Sequence, residues 1–129
     1  MSLKEYREQD IWRKARELGM EVRKVIAERK LEVGDNVIIR CLHDVTGELP
    51  VTLVIGSTES GLQDTMETIR CAYDLAHRAE YLLFLSLLWR YLPYGDVRAL
   101  TRKARLIKFL LTGCLEELRR KGWEGESHE

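Results

Sequence analysis

The sequence predicts an all-α fold, an antiparallel up-down-up-down four-helix bundle. Three observations carry that prediction. Apolar residues recur at three- and four-residue steps through four long stretches. Short clusters of cap and turn residues separate those stretches. Only one short segment has strand character, and it has no second strand to pair with. Helices joined by short connections pack most simply with their neighbours antiparallel.

The first helix is expected to start at Ser2, where Ser2 and Glu5 have capping-box spacing. Its buried stripe is Ile11, Ala15, Leu18, Val22 and Val25 or Ile26, over about 26 residues of amphipathic helix. Gly34 ends the connection and Asp35 can cap the second helix, whose buried face would be Ile38, Leu42, Val45, Leu49 and Leu53. Pro50 lies inside that helix and predicts a kink near Thr46 to Pro50. A strand over Val51 to Ile55 is the competing reading, because those residues are largely β-branched and lie between Pro50 and Gly56.

The segment from Gly56 to Gly61 is a turn and cap cluster. After it, Leu62, Met66, Ile69, Tyr73, Ala76, Leu83 and Leu87 mark a third helix reaching about Leu92. Pro93 and Gly95 break it and Asp96 can cap the fourth. Val97, Leu100, Ala104, Ile107, Leu111, Cys114 and Leu118 form the last stripe, ending at Gly122, with residues 122–129 expected to fray. The whole chain, 1–129, reads as one domain, with no internal repeat or linker.

Composition agrees with this. Of 129 residues, 45% are hydrophobic and 33% charged, so disorder is excluded for most of the chain. Lys and Arg number 21 against 21 Asp and Glu, and this zero net charge argues against coating nucleic acid through bulk charge. The longest nearly continuous apolar run, Tyr81 to Trp89, is too short to cross a bilayer, which takes about 20 residues. With no signal-like N-terminus, a cytoplasmic protein without membrane contact is expected. Cys41, Cys71 and Cys114 are widely spaced among apolar neighbours and are expected to be reduced core residues.

The third helix is more apolar than a monomeric bundle requires. From Tyr81 to Leu92 it is apolar nearly all round. Either neighbouring helices wrap it or a second subunit covers it, and exposed apolar patches of that size are rare on monomers. Tyr81, Phe84, Leu85, Leu88, Trp89 and Tyr91 are therefore candidate homo-oligomer contacts.

Catalytic chemistry finds little support. Asp74 and His77 approximate one half of a bundle metal site but have no second copy, so no metal or cofactor is expected. His43 and Asp44 could form an oriented base, yet no nucleophile is tied to them by spacing, and Cys41 points to another side of the helix. The glycines at 56 and 61 match no phosphate-binding loop. An enzyme is not expected.

Charge patterning is more informative. Between Val97 and Leu115 lie Arg98, Arg102, Lys103, Arg105 and Lys108 without a single acid. At about 100° per residue, Arg98, Arg102 and Arg105 share one side of the helix. Arg13 and Arg16, with Lys14, Arg23 and Lys24, enrich the first helix similarly, and Arg119 to Lys121 extend the fourth. These residues could neutralise phosphates of RNA or another nucleic acid. Alternatively they form a solvated face paired with acids such as Glu59, Asp64, Glu67 and Asp74.

The run Asp10-Ile11-Trp12-Arg13-Lys14-Ala15, followed by Glu17 and Leu18, resembles the opening of a bacterial four-helix-bundle family. That family is named for reading frames in the intervening sequences of 23S ribosomal RNA genes. Leu49, Pro50 and Gly56 are spaced like its Ser-Ile-Pro-Ala-Asn-Ile-Ala-Glu-Gly signature, and Ala76 to Leu88 looks like its segment of small residues, glutamate and leucines. Glu48, Thr52 and Ile55 replace the signature's polar Ser, Asn and Glu, which moves the chain toward a relative of the same fold, the accessory variability determinant of diversity-generating retroelements. The resemblance implies an antiparallel bundle assembled as a pentamer, without known enzymatic activity. The relative implies a basic surface working with structured RNA and a reverse transcriptase. The functional expectation is a non-enzymatic homo-oligomer that binds RNA as an accessory to a ribonucleoprotein or reverse transcriptase. The alternative is a protein-interaction scaffold that binds no nucleic acid.

Overall fold

A computed structural model describes the backbone of residues 3–34, 36–56 and 61–127 and the side chains of 9–34, 36–56 and 61–122. It contains four α-helices: α1 (Leu3–Glu28), α2 (Val37–Gly56), α3 (Leu62–Leu88) and α4 (Tyr94–Ser127). Each helix packs on the next and α4 closes back onto α1, while the diagonal pairs do not meet. This is the expected four-helix bundle, with its core on the axis.

The core is aliphatic and small. Ile11, Ala15, Leu18, Val22 and Ile26 of α1 face Ala72, Ala76, Ala79 and Leu83 of α3 and Leu100, Ala104, Ile107 and Leu111 of α4 across it. The α1 and α4 stripes are those the periodicity predicts. In α2 the register differs: Ile39, Leu42, Thr46 and Leu49 are buried, whereas Ile38, Val45 and Leu53 are only half-buried. Apolar residues at 37, 38 and 39 make this face ambiguous from sequence, and packing selects Ile39. In α3, Leu62 and Tyr73 stand outside the core, and small Ala72 and Ala79 take the inner positions.

The cysteines depart from expectation. Cys41 and Cys114 are half-buried and Cys71 is exposed. Apolar sequence neighbours do not bury a side chain whose helical angle turns it outward.

Helix ends are set by local hydrogen bonds. The capping box at Ser2 and the cap at Asp35 lie outside the described residues. Asn36 caps α2, its Oδ1 accepting from the Ile39 N–H at 3.2 Å. No strand occurs among the described residues, and Val51 to Ile55 continue α2 beyond Pro50. α3 stops at Leu88, earlier than expected, because Arg90 is left-handed with φ 61°. The Arg90 N–H donates to the Leu87 carbonyl at 3.0 Å and the Tyr91 N–H to the Ser86 carbonyl at 2.8 Å, a Schellman arrangement. Lys30, φ 55°, ends α1 in the same way, its N–H donating to the Ala27 carbonyl and that of Leu31 to the Ile26 carbonyl. α4 begins at Tyr94, directly after Pro93, so Asp96 falls inside its first turn and pairs with Arg29 of α1 at 3.1 Å.

The fourth helix does not end at Gly122. It runs on to Ser127, and Gly122 lies against the Leu62 side chain, whose terminal methyl is 2.7 Å from the position a Cβ would take. Thr46 and Ser86 are buried polar residues whose hydroxyls donate back to the Leu42 and Leu82 carbonyls, both at 2.8 Å.

Candidate functional site: the outer face of α3 and α4

The seam between α3 and α4 is anchored by Glu80. Its carboxylate accepts from Arg105 at 2.9 Å and from Lys108 at 3.0 Å. Burial pushes this carboxyl up, but the hydrogen bonds and positive charges of Arg105 and Lys108 outweigh it and hold the group below its usual range. Lys108 also donates to His77 Nδ1 at 3.0 Å and lies 5.3 Å from the Tyr73 ring centroid. Because an ammonium only donates, Nδ1 of His77 is the acceptor in this contact. The Tyr73 and His77 rings stack at 6.5 Å, nearly parallel at 7°.

This anchor fixes the register of the two antiparallel helices. One turn beyond Glu80 along α3 is Phe84, and a further turn brings Leu88. One turn back along α4 from Arg105 is Arg102, and the next brings Arg98. The two sets are therefore level with each other on the same outer side of the bundle. Tyr81, Phe84, Leu88 and Trp89 are 60, 55, 60 and 54% exposed. Leu85 is half-buried. Tyr91 is half-buried too, and it lies past the left-handed Arg90, off the helical stripe. Neighbouring helices thus do not wrap the apolar half of α3.

The seven predicted basic residues separate into groups. Arg98 and Arg102 are exposed and make no ion pair among the described residues. Arg105 and Lys108 are held by Glu80, and Lys103 pairs with Glu21 of α1 at 3.2 Å. The paired reading therefore describes three of the five cations between Val97 and Leu115, through Glu80 and Glu21 rather than the acids suggested by sequence. Arg13 is exposed without an ion pair among the described residues, and Arg16 lies 5.7 Å from the Trp12 ring centroid. The Lys103–Glu21 pair puts Arg13 level with about Leu111, roughly thirteen residues from Arg98. At 1.5 Å per residue that is about 20 Å along the axis. The α1 and α4 cations do not form one patch.

Sequence reasoning missed Glu80, Glu21 and Phe109. Phe109 is 74% exposed and continues the Arg98, Arg102, Arg105 series at its next turn, a position readable from the 100° spacing. Glu80 is a lone acid just before the most apolar part of α3, which was the available signal for it.

Elsewhere, His43 Nδ1–H donates to Asp44 Oδ1 at 3.1 Å on the surface. Among the described residues, no group of three or more His, Cys, Asp or Glu converges to hold a metal. No described helix is long and apolar enough to cross a membrane.

Among solved structures, the chain is similar to a protein of unknown function from the S23 ribosomal protein family of Bacteroides thetaiotaomicron. The two superpose with a TM-score of 0.78 over 85% of this chain and 98% of that one, at 14% identity. The shared fold is established by that match. Neither a protein-family model nor a curated protein matches the sequence.

Proposed function

We infer that the protein is a non-enzymatic assembly module, in which identical bundles join through the outer face of α3. The observation that carries this reading is the exposure of Tyr81, Phe84, Leu88 and Trp89, all more than half open to solvent within about two turns. Aromatic residues and arginine are the types enriched in protein interfaces. Arg98 and Arg102 border this face, and Phe109 is a further exposed aromatic two turns beyond Arg102 on the same side of α4. Burying such a patch supplies about 25 cal/mol per Å² of apolar area, the main driving force for association.

Size-exclusion chromatography with light scattering tests the reading. The parent chain is expected to elute as a stable oligomer, five subunits being what the family resemblance suggests. Phe84→Glu combined with Leu88→Glu should reduce the mass to a single chain while circular dichroism stays helical. A parent of single-chain mass at tens of micromolar would overturn the reading.

A second reading has its own support. The guanidinium groups of Arg98, Arg102 and Arg13 carry no ion pair among the described residues, so they are available to phosphate. RNA bound there would make the assembly an accessory to a ribonucleoprotein, with affinity falling steeply as salt rises.

A further inference from the structure

At the opposite end of the bundle from the α3–α4 connection, the four helices part around a cavity of about 350 Å³. Leu53, Ile69 and Leu111 supply its apolar walls, and Trp12 forms one side. The ring of Trp12 is held from outside by Arg16, which spans its face at 5.7 Å. Polar side chains are few among the described residues: Thr65 and Thr68 reach the cavity from α3 and Gln9 lines it from α1. Thr65 Oγ1 donates to the Gly61 carbonyl at 2.8 Å, so its oxygen keeps lone pairs that can accept. None of the described residues lining the cavity is charged.

We propose that this cavity is a binding site for a small, uncharged, largely apolar molecule with one hydrogen-bond donor. Size and polarity both lead to that class. An apolar cavity of about 150 Å³ stays dry and takes up benzene, so the larger space here admits a bicyclic aromatic. Ligand sites between bundle helices combine apolar walls with a few placed polar groups, as Thr65 and Thr68 are placed here. An ionised ligand would lose part of its hydration and meet no opposite charge among the described residues of the wall, which disfavours it against a neutral one. The site is separate from the proposed assembly face and does not depend on it.

Indole, a neutral bicycle with one N–H, is the probe. Cys114 lines the cavity, whereas Cys71 is exposed on α3 and does not line it, so Cys71 is an internal control. Alkylation by iodoacetamide, followed at each cysteine by mass spectrometry, is expected to slow at least threefold at Cys114 as indole saturates, with Cys71 unchanged. The anion indole-3-acetate should give no protection. Indole should also raise the melting temperature of the parent and of Cys114→Ala, but not of Cys114→Phe, in which the added ring fills the space. Should Cys114→Phe fail to melt cooperatively, the labelling competition in the parent decides alone. Equal rates at Cys114 with and without indole, equal slowing at both cysteines, or an undiminished melting shift in a folded Cys114→Phe would each overturn the proposal.

Discussion

Arg90 sits in a backbone conformation that suits glycine. At φ 61° its Cβ crowds the backbone, and the same end of the bundle repeats the situation at Lys30 with φ 55°. Arg90→Gly is expected to raise stability by about 1 kcal/mol in urea unfolding, because the strain leaves while the Schellman bonds remain. Arg90→Ala keeps the Cβ and should gain nothing. Glu80 offers a pH test with a defined sign. Its carboxyl is held low in the folded chain, so between its folded and unfolded values the folded state binds fewer protons. The stabilisation is complete above the ordinary carboxylate value of about 4.3 and is lost as pH falls through the lower folded value. Glu80→Gln should cost about 1 kcal/mol at pH 7. The gap to the parent should close as denaturation is repeated at pH values below about 4.

Helix contacts in this bundle depend on where glycine and proline fall. Pro50 has no N–H, so the Thr46 carbonyl one turn before it lacks its helical donor. That carbonyl lies against Gly19 of α1, where a Cβ would come within 2.9 Å of the oxygen. Proline and glycine together bring the α1 and α2 backbones close. Gly19→Ala is therefore expected to lose about 1–3 kcal/mol, since backbone cannot move aside cheaply. Gly113, inside α4 and open to solvent, is the contrasting case: beyond its own stretch of helix, no atom of the described residues lies within 4 Å of its Cβ position. Gly113→Ala should gain about 1 kcal/mol from helix propensity alone. Urea midpoints of the two variants at constant slope check both signs.

Over the whole molecule, the positive charge divides into parts with different work. Lys103 and the Arg105–Lys108–Glu80 cluster tie α4 to α1 and α3, while Arg98 and Arg102 face solvent. If RNA binds this assembly, Arg98→Glu with Arg102→Glu should weaken binding at least tenfold at low salt and leave the melting temperature unchanged. Lys103→Glu should instead lower the melting temperature through repulsion from Glu21. Filter binding at 50 and 200 mM salt, beside thermal melts, separates the two outcomes. Equal loss of binding from both variants would mean that the ion-paired cations are as available to phosphate as the open ones.

The fold was legible because helical periodicity is a local property. Ile11 to Ile26 and Val97 to Leu118 announce their buried stripes, and Pro93 announces a break, with no knowledge of neighbours. The excess apolar half of α3 was legible for the same reason, since one stripe suffices for one bundle. Local pattern could not say which of Ile38 and Ile39 turns inward, nor that Gly122 continues a helix. It could not say that Glu80 rather than Asp74 meets the α4 cations. Those outcomes depend on how far one helix slides and rotates against another, which is set by contacts between residues distant in sequence. Assigning Arg98 and Arg102 to solvent and Lys103, Arg105 and Lys108 to partners needed that register. So did the cavity beside Trp12, whose walls come from four helices and are adjacent only once the bundle has closed.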